Sequence, residues 1–323
     1  MILNPRLLGE GFCYLCFMQT VLITGGTGMV GQALTNTLIE KGYEVIVLTR
    51  SPKRSSRLHL SYATWDIHNQ SIDKVALAKA NIIVHLAGES VATKRWTAKR
   101  KQEIIDSRVQ SGQLLVKALK ENKHEVHTFI SASAIGWYGP DSEKNVDHGF
   151  VETDPMDNSY LGTTCGLWEA STEPIKTIGI RHIVLRIGIV LNKRGGALAE
   201  FVKPARFGMA AILGDGTQMV SWIHQADLCN LLVFAIENKQ MEGVFNAVSP
   251  NPVTNKELTI IVAERYFKHH LCINVPVFVL KIMLGEMSIE VLKSAKVSSK
   301  KLLSSGFSFK YAQIEDAISS LLP

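Results

Sequence analysis

Thr20-Val-Leu-Ile-Thr-Gly-Gly-Thr-Gly-Met-Val-Gly31 decides the reading of this chain. A short β-branched apolar run, Val21 to Ile23, stops at a cluster of glycines. Apolar residues then recur at helical spacing through Val30, Leu34 and Leu38. The pattern predicts strand, tight turn, helix. Gly25, Gly28 and Gly31 satisfy G-x-x-G-x-x-G, and Gly26, Gly28 and Gly31 satisfy G-x-G-x-x-G. Such a turn needs glycine because one position takes positive φ, an anion touches bare main chain, and the helix packs close to the strand. Free N–H groups and the positive end of the helix dipole then hold a pyrophosphate. Thr27, Met29 and Val30, between the glycines, complete the expected contact set.

Tyr43 to Leu48 reads as a second strand, followed by Thr49-Arg-Ser-Pro-Lys-Arg54. An NAD-preferring site places a carboxylate about 20 residues past the glycines, on the ribose 2′-hydroxyl. Arg50 stands there instead, 19 residues past Gly31. A guanidinium suits a 2′-phosphate, with Thr49, Lys53 or Arg54 assisting, so NADP is expected in preference to NAD. The plain alternative is a solvated surface cation. Trp65-Asp66 closes a third strand, with Asp66 in reach of an adenine amino group. Asn81 to Leu86 is a fourth strand, apolar nearly throughout, as a strand covered on both faces should be. It runs into Ala87-Gly88-Glu89-Ser90, small enough for a ribose and nicotinamide to approach. Lys94 to Asn122 holds a long helix. Glu103 and Ser107 share one of its faces, with Arg108 beside them. Glu103 and Arg108 either meet the cofactor's ribose and phosphates or form a solvated charged face.

Phe129 to Ala134 is a fifth strand, Tyr160 to about Ile178 a helix, and Ile183 to Leu191 a sixth strand. The alternation predicts an α/β fold, a Rossmann-type doubly wound parallel sheet. After Asn192 the pattern changes to glycine turns (Gly195-Gly196, Gly214-Asp-Gly216), a helix to about Glu237, a strand at Val244 to Val248, and helices over Asn255–Lys268 and Val277–Leu303. The expected organisation is an arm at 1–17, an upstream start or floppy extension ahead of Met18; a cofactor-binding domain at 18–191; and a smaller, mainly helical substrate-capping region at 192–323. Some segments of that last region can return to the first sheet.

At 323 residues, 46% hydrophobic and 20% charged, the chain suits one large or two modest globular domains. Its charge of +6 is scattered apart from Lys94 to Lys101, which favours anionic small molecules over nucleic acid. No run approaches the roughly 18 apolar residues of a membrane helix. Five cysteines is an odd number, and Cys165, Cys229 and Cys272 sit in apolar or helical surroundings, as reduced cytoplasmic thiols do. Cys13 and Cys16 form a C-x-x-C with no second ligand pair, so no metal is expected.

These residues resemble the extended short-chain dehydrogenase/reductase superfamily. More closely, they resemble its atypical "epimerase family" branch, related to NAD-dependent sugar-nucleotide epimerases. The resemblance runs from about Gln19 to Leu321. It is carried by the glycine turn, His85-Leu-Ala-Gly-Glu89, Arg95-Trp96, Ser107-Arg108, Ser131-Ala-Ser-Ala134 with Tyr138-Gly139, Trp168-Glu169, Gly195-Gly-Ala-Leu198, Trp222-Ile-His224 with Asp227, Asn251-Pro-Val-Thr-Asn255 and Gly285-Glu-Met287. It implies a Rossmann domain capped by a smaller domain over a substrate cleft, and NADP binding; it does not fix the reaction or the substrate, for which the superfamily's hydride transfer coupled to proton transfer, on a nucleotide-sugar or carbonyl compound, is the expectation. By position, Arg50, Leu86, Ala87 and Arg108 would line the cofactor, and Ile189 and Val190 would back the nicotinamide.

That superfamily moves its proton with a tyrosine, whose pKa is lowered by a lysine four residues later; a serine or threonine binds the substrate oxygen. The lysine matters because a free phenol titrates near pH ~10. Ser133 stands in the hydroxyl's place. Extended members carry Tyr-x-x-x-Lys-x-x-x-Glu, but counting back from Glu169 puts Cys165 at the lysine and Leu161 at the tyrosine. Tyr160 is one residue off, roughly 100° around a helix. Three readings stand. One is an oxidoreductase or epimerase with another relay, drawn from Ser133, Tyr138, Tyr160, Cys165 and Glu169. Another is an NADP(H) binder without turnover that senses redox state or scaffolds a partner. The third is a purely structural glycine turn. Cys165 is also simply a buried helix thiol. Asp227 is expected to order the turn into the next helix, and His224 to pack or hydrogen-bond at the domain junction. Trp137 and Trp222 line the cleft or fill the core.

Overall fold

The computed structural model describes residues 18–51, 54–143, 145–193 and 195–323. In chain order the main sheet contains β1 (Thr20–Thr24), β2 (Glu44–Thr49), β3 (Leu60–Asp66), β4 (Ser71–Ile72), β5 (Ile82–His85), β6 (Thr128–Ala134), β7 (Arg181–Ile187) and β8 (Gly243–Ala247). The helices that matter below are α1 (Met29–Glu40), α2 (Lys74–Lys79), α3 (Ala98–Glu121), α4 (Tyr160–Thr172), α5 (Ala197–Ala205), α6 (Gln225–Glu237), α7 (Asn255–Glu264) and α8 (Val277–Leu284).

Across the sheet the order is β8-β7-β6-β5-β1-β2-β3-β4, parallel except where the short β4 turns back on β3. The chain winds outward from β1 through β2 and β3, then returns to β5 and winds the other way. The crevice at the carboxyl ends of β1 and β5 is therefore a topological switch point, where open α/β sheets bind ligands. Burial follows the two-residue period of the strands. Val21, Ile23, Val47 and Val84 enter one core, with Leu34 of α1 and Leu228 of α6, while Leu22, Ile46 and Ile83 enter the other, with Leu77 of α2 and Leu115 of α3.

The expected sixth strand is two. β7 ends at Ile187, and Ile189–Leu191 leaves the sheet to pair in parallel with Trp222–His224. Gly188 permits the crossing, because a Cβ there would lie 2.6 Å from the Ser221 carbonyl oxygen. The region after 192 is interwoven with the first sheet. α6 packs on α1, β8 pairs with β7, and Leu302 and Phe307 join the core of Val21 and Ile23. What is left forms its own core around Val202, Trp222, Leu258 and Ile318. The helix expected over Val277–Leu303 breaks at Gly285, whose φ is +62°, and again between Leu292 and Lys300. A parallel ribbon of Met209–Leu213 with Leu271–Val275 was not foreseen, because its strands are far apart in sequence. No described helix is long and apolar enough to cross a membrane.

Candidate cofactor and active site

The glycine turn sits at the switch point. Gly25 has φ +68°, and a Cβ there would lie 2.7 Å from the Leu86 carbonyl oxygen; one on Gly26 would lie 2.7 Å from Val47 Cγ1. Gly28 donates its N–H to the Gly25 carbonyl at 2.9 Å and caps α1 with no side-chain partner. The first-turn N–H groups of α1, from Met29 onward, therefore face the crevice mouth without a capping side chain. Thr24 ties the two central strands together. Its Oγ1 accepts N–H bonds from Leu86 (3.1 Å) and Ala87 (3.2 Å) and lies 2.7 Å from His85 Nδ1. With both lone pairs engaged, the hydroxyl donates to His85, whose burial depresses its pKa to about 3. The bare cradle and the free helix start fit a dinucleotide pyrophosphate.

Arg50 is exposed at the end of β2 and, with Thr64, Trp65, Asp66, Ser71, Ile72 and Asp73, lines an open cleft beside the turn. Thr49 Oγ1 accepts the Ser51 N–H at 3.3 Å. Asp66 accepts from the backbone and side-chain nitrogens of Asn69, at 3.0 and 2.8 Å, which holds its carboxyl below the ordinary value. Lys53 lies outside the described residues, as do residues 1–17 with Cys13 and Cys16.

Beyond β5, Leu86 and Ala87 are half-buried and Gly88 runs close under Arg108; a Cβ on Gly88 would lie 3.1 Å from its Cζ. Arg108 donates to the carbonyls of Glu89 (2.9 Å) and Ile104 (3.0 Å), and its guanidinium lies 4.9 Å from the Trp168 ring. Glu89 and Glu103 both pair with Arg100, at 3.2 and 3.0 Å. Arg100 was missed in the sequence; nothing in its spacing marks it as the centre of this cluster. Val190 and Ile189 are half-buried, and Gly196 lies near both the Val190 carbonyl and Met29 Cε. Gln225 donates to the Met29 carbonyl at 2.9 Å and bonds the side chain of Asn192, so the loop after Leu191 borders the glycine turn.

The superfamily's catalytic position, at the end of β6, holds a different arrangement. Ser133 Oγ donates to Glu169 Oε1 at 2.6 Å. Arg186, facing Ser133 on β7, grips the same carboxylate with Nε (2.9 Å) and Nη2 (3.0 Å). Its Nη1 donates to the Tyr138 hydroxyl at 3.1 Å, which donates to Asn246 Oδ1 at 2.7 Å. Ser133 and Arg186 are 2% and 3% exposed and Tyr138 is fully buried, while the Glu169 side chain keeps 13% exposure, so the network is largely shielded from bulk water but open at Glu169. Burial pushes the Tyr138 phenol up to about 12. Arg186 and Asn246 were not anticipated; the Arg on a strand otherwise apolar (Ile183-Val-Leu-Arg-Ile187) was the available signal.

The other candidates point elsewhere. The Tyr160 hydroxyl donates to the Lys101 carbonyl at 3.0 Å, and its ring meets Trp96 edge-on. Cys165 is buried, and desolvation lifts its thiol to about 11, which keeps it protonated at neutral pH. Asp227 accepts the N–H groups of Lys310 (2.8 Å) and Tyr311 (2.9 Å), so it fastens the C-terminal segment instead of its own turn. His224 caps α6, and its ring lies 4.0 Å from that of Tyr311, tilted by 43°. Trp222 is a core residue, and Trp137 is half-buried with Arg186 3.7 Å from its ring centre.

A Rossmann sheet with a glycine cradle at its switch point, and a serine at the end of β6, two strands from the cradle, is the arrangement of the short-chain dehydrogenase/reductase class. Residues 21–247 match the model of the NAD dependent epimerase/dehydratase family, and residues 275–321 match a domain of unknown function, DUF1731. The chain belongs to the NAD dependent epimerase/dehydratase family, in the atypical branch of epimerase family proteins. It is 33% identical over 304 residues to the epimerase family protein YfhF of Bacillus subtilis, covering 94% of this chain and 98% of that one. A Staphylococcus saprophyticus epimerase family protein is 34% identical over 306 residues, covering 94% and 100%. The crystal structure of human epimerase family protein SDR39U1 with NADPH superposes with a TM-score of 0.83 at 27% identity, covering 94% of this chain and 99% of that one. A nucleoside-diphosphate sugar epimerase from Corynebacterium glutamicum gives a TM-score of 0.74 at 32% identity; this chain spans 57% of it.

Proposed function

We propose that this chain binds NADP(H) along the crevice from Arg50 past the glycine turn to Val190. We read it as an oxidoreductase or sugar-nucleotide epimerase in which Ser133 and Glu169 handle the proton. The bound nicotinamide would accept or supply the hydride. The observation that carries the reading is the 2.6 Å bond from Ser133 to Glu169 at the end of β6, two strands from β1. With its hydrogen directed at Glu169, Ser133 keeps a lone pair for a substrate hydroxyl. The substrate's proton passes to Ser133 Oγ as Ser133 passes its own to Glu169, and the reverse step returns it. Arg186 and the Tyr138–Asn246 pair hold the carboxylate in that aim. The SDR39U1 complex with NADPH, together with Arg50, supports NADP over NAD. The Corynebacterium relative supports a nucleotide-sugar substrate. Three unpaired cysteines among the described residues, Cys165, Cys229 and Cys272, suit a cytoplasmic setting.

A second reading is an NADP(H)-binding sensor or scaffold without turnover. It is favoured by Tyr160 being tied to Lys101 and by the protonated Cys165, since neither offers the usual proton donor. One experiment separates them: NADPH binding by calorimetry, then NADPH oxidation against panels of aldehydes, ketones and nucleotide-sugars. Turnover lost in Ser133→Ala supports the enzyme. Tight binding with no turnover on any panel supports the sensor. No binding ends both.

A further inference from the structure

Residues 277–292 bridge the two loops that leave the crevice, yet little burial holds them. Only Leu280 and Ser288 in this stretch are buried, while Phe278, Ile282, Met283 and Ile289 are 61–70% exposed. The flanks are fixed. Before it, Leu271–Val275 pairs with Met209–Leu213. After it, Asp141 accepts from Ser294 Oγ (2.6 Å) and the Lys296 N–H (2.8 Å), and Phe150 exchanges main-chain bonds with Lys296 and Ser298 at 2.8 Å.

Three straps tie the stretch to the sheet's carboxyl edge. Lys101 Nζ meets both oxygens of Glu286, at 2.8 and 2.9 Å. Arg95 donates to the Ile282 carbonyl at 3.1 Å. Lys293, paired with Glu290 at 2.6 Å, donates to the Tyr138 carbonyl at 3.1 Å. Arg95 and Lys101 follow β5 and Tyr138 follows β6, so the straps reach the segments that leave the carboxyl ends of these two strands. The receiving side is rigid: Arg100 and Arg108 bind the 89–90 turn, Trp96 Nε1 bonds the Val91 carbonyl, and Tyr160 bonds the Lys101 carbonyl.

We propose that residues 277–292 form a gate over the crevice, latched by the Lys101–Glu286 ion pair and opened by its loss. The pair is partly exposed, with side chains 29% and 41% accessible. Such pairs are weak and screened by salt, so the latch opens readily. Gly285, at φ +62° against the Arg95 guanidinium, is the joint where the stretch changes direction.

The gate rests on the cofactor reading only for what it covers, so the test has two arms, both on the full chain. Hydrogen–deuterium exchange needs no ligand. Glu286→Lys should speed exchange across 277–292 by about fivefold, and the swap Lys101→Glu with Glu286→Lys should restore it. High salt should speed the wild type, whose ion pair it screens, and slow Glu286→Lys, whose repulsion from Lys101 it screens. Equal exchange in wild type and Glu286→Lys, or a swap as fast as the single variant, overturns the latch. In the second arm, stopped-flow NADPH association should quicken in Glu286→Lys and return in the swap. Faster exchange with an unchanged association rate overturns the gate. Wild-type protein that binds no NADPH refutes the cofactor reading, and the exchange arm still decides the latch.

Discussion

Ser133 on β6 and Glu169 on α4 are joined by a 2.6 Å hydrogen bond in a place nearly sealed from water, with Arg186 clamped on the same carboxylate. Glu169→Ala would leave the Arg186 guanidinium, 3% exposed, without its counter-charge. That costs about 3–5 kcal/mol. Ser133→Ala removes one hydrogen bond to a charged group, about 1.5–3 kcal/mol. Denaturant melts of both variants check the order; equal, sub-kilocalorie losses would mean the network does not form.

Arg50→Asp should weaken NADPH by roughly 10- to 100-fold and NADH far less, since it removes one charge-assisted contact to a phosphate and adds repulsion. Calorimetric titration with both cofactors reads it. Equal affinities before and after the change would end the NADP assignment.

Gly25→Ala combines strained φ with a clash against the Leu86 carbonyl, whereas Gly42, at φ +84°, faces open space. Gly42→Ala should cost only the left-handed penalty of about 1–2 kcal/mol. Gly25→Ala should cost more and lose NADPH binding as well. Thermal melts with and without cofactor compare the two; matching behaviour would show that the cradle is not tight.

Acid should destabilise the fold through His85 and His182, buried neutral with pKa values pushed down to about 3 and about 4. Below pH 6.5 the unfolded chain takes up a proton on each ring and the folded chain does not, so stability falls as pH falls. The slope is about 1.4 kcal/mol per pH unit per ring, or roughly 2 kcal/mol per ring by pH 5. The loss levels off only below the folded values. Unfolding free energies at pH 7.5 and 5 measure it, and His182→Asn should remove one proton's share. A flat profile would contradict the buried neutral rings.

Among the cysteines of residues 18–323, Cys272 should alkylate readily, being exposed. Cys165 and Cys229, buried with thiols lifted to about 11 and about 12, should react only on unfolding. Peptide mapping after brief iodoacetamide treatment reads this; rapid labelling of Cys165 would restore it as a nucleophile.

The strand–turn–helix at Thr20–Glu40 and the alternation up to β6 were legible because each depends on local rules: glycine where φ is positive, apolar runs where both sheet faces are covered. The site was legible only in part. Ser133 and Glu169 were visible, but their bond was not. Tyr160 appeared a near-miss for the usual tyrosine until its hydroxyl proved to serve Lys101. Arg100, Arg186 and Asn246 left little trace, because a buried charge is made tolerable by partners distant in the chain.

By itself, then, the amino-acid order determined the parallel sheet, the glycine cradle and the cation at position 50, all consequences of spacing within a few dozen residues. Only the folded chain decided that β8 returns to the first sheet, that Gly188 splits a strand, and that Glu169 answers to Arg186 as well as Ser133. Those outcomes depend on groups 17 to 60 residues apart meeting in one desolvated place, and no local pattern encodes which of the competing partners wins.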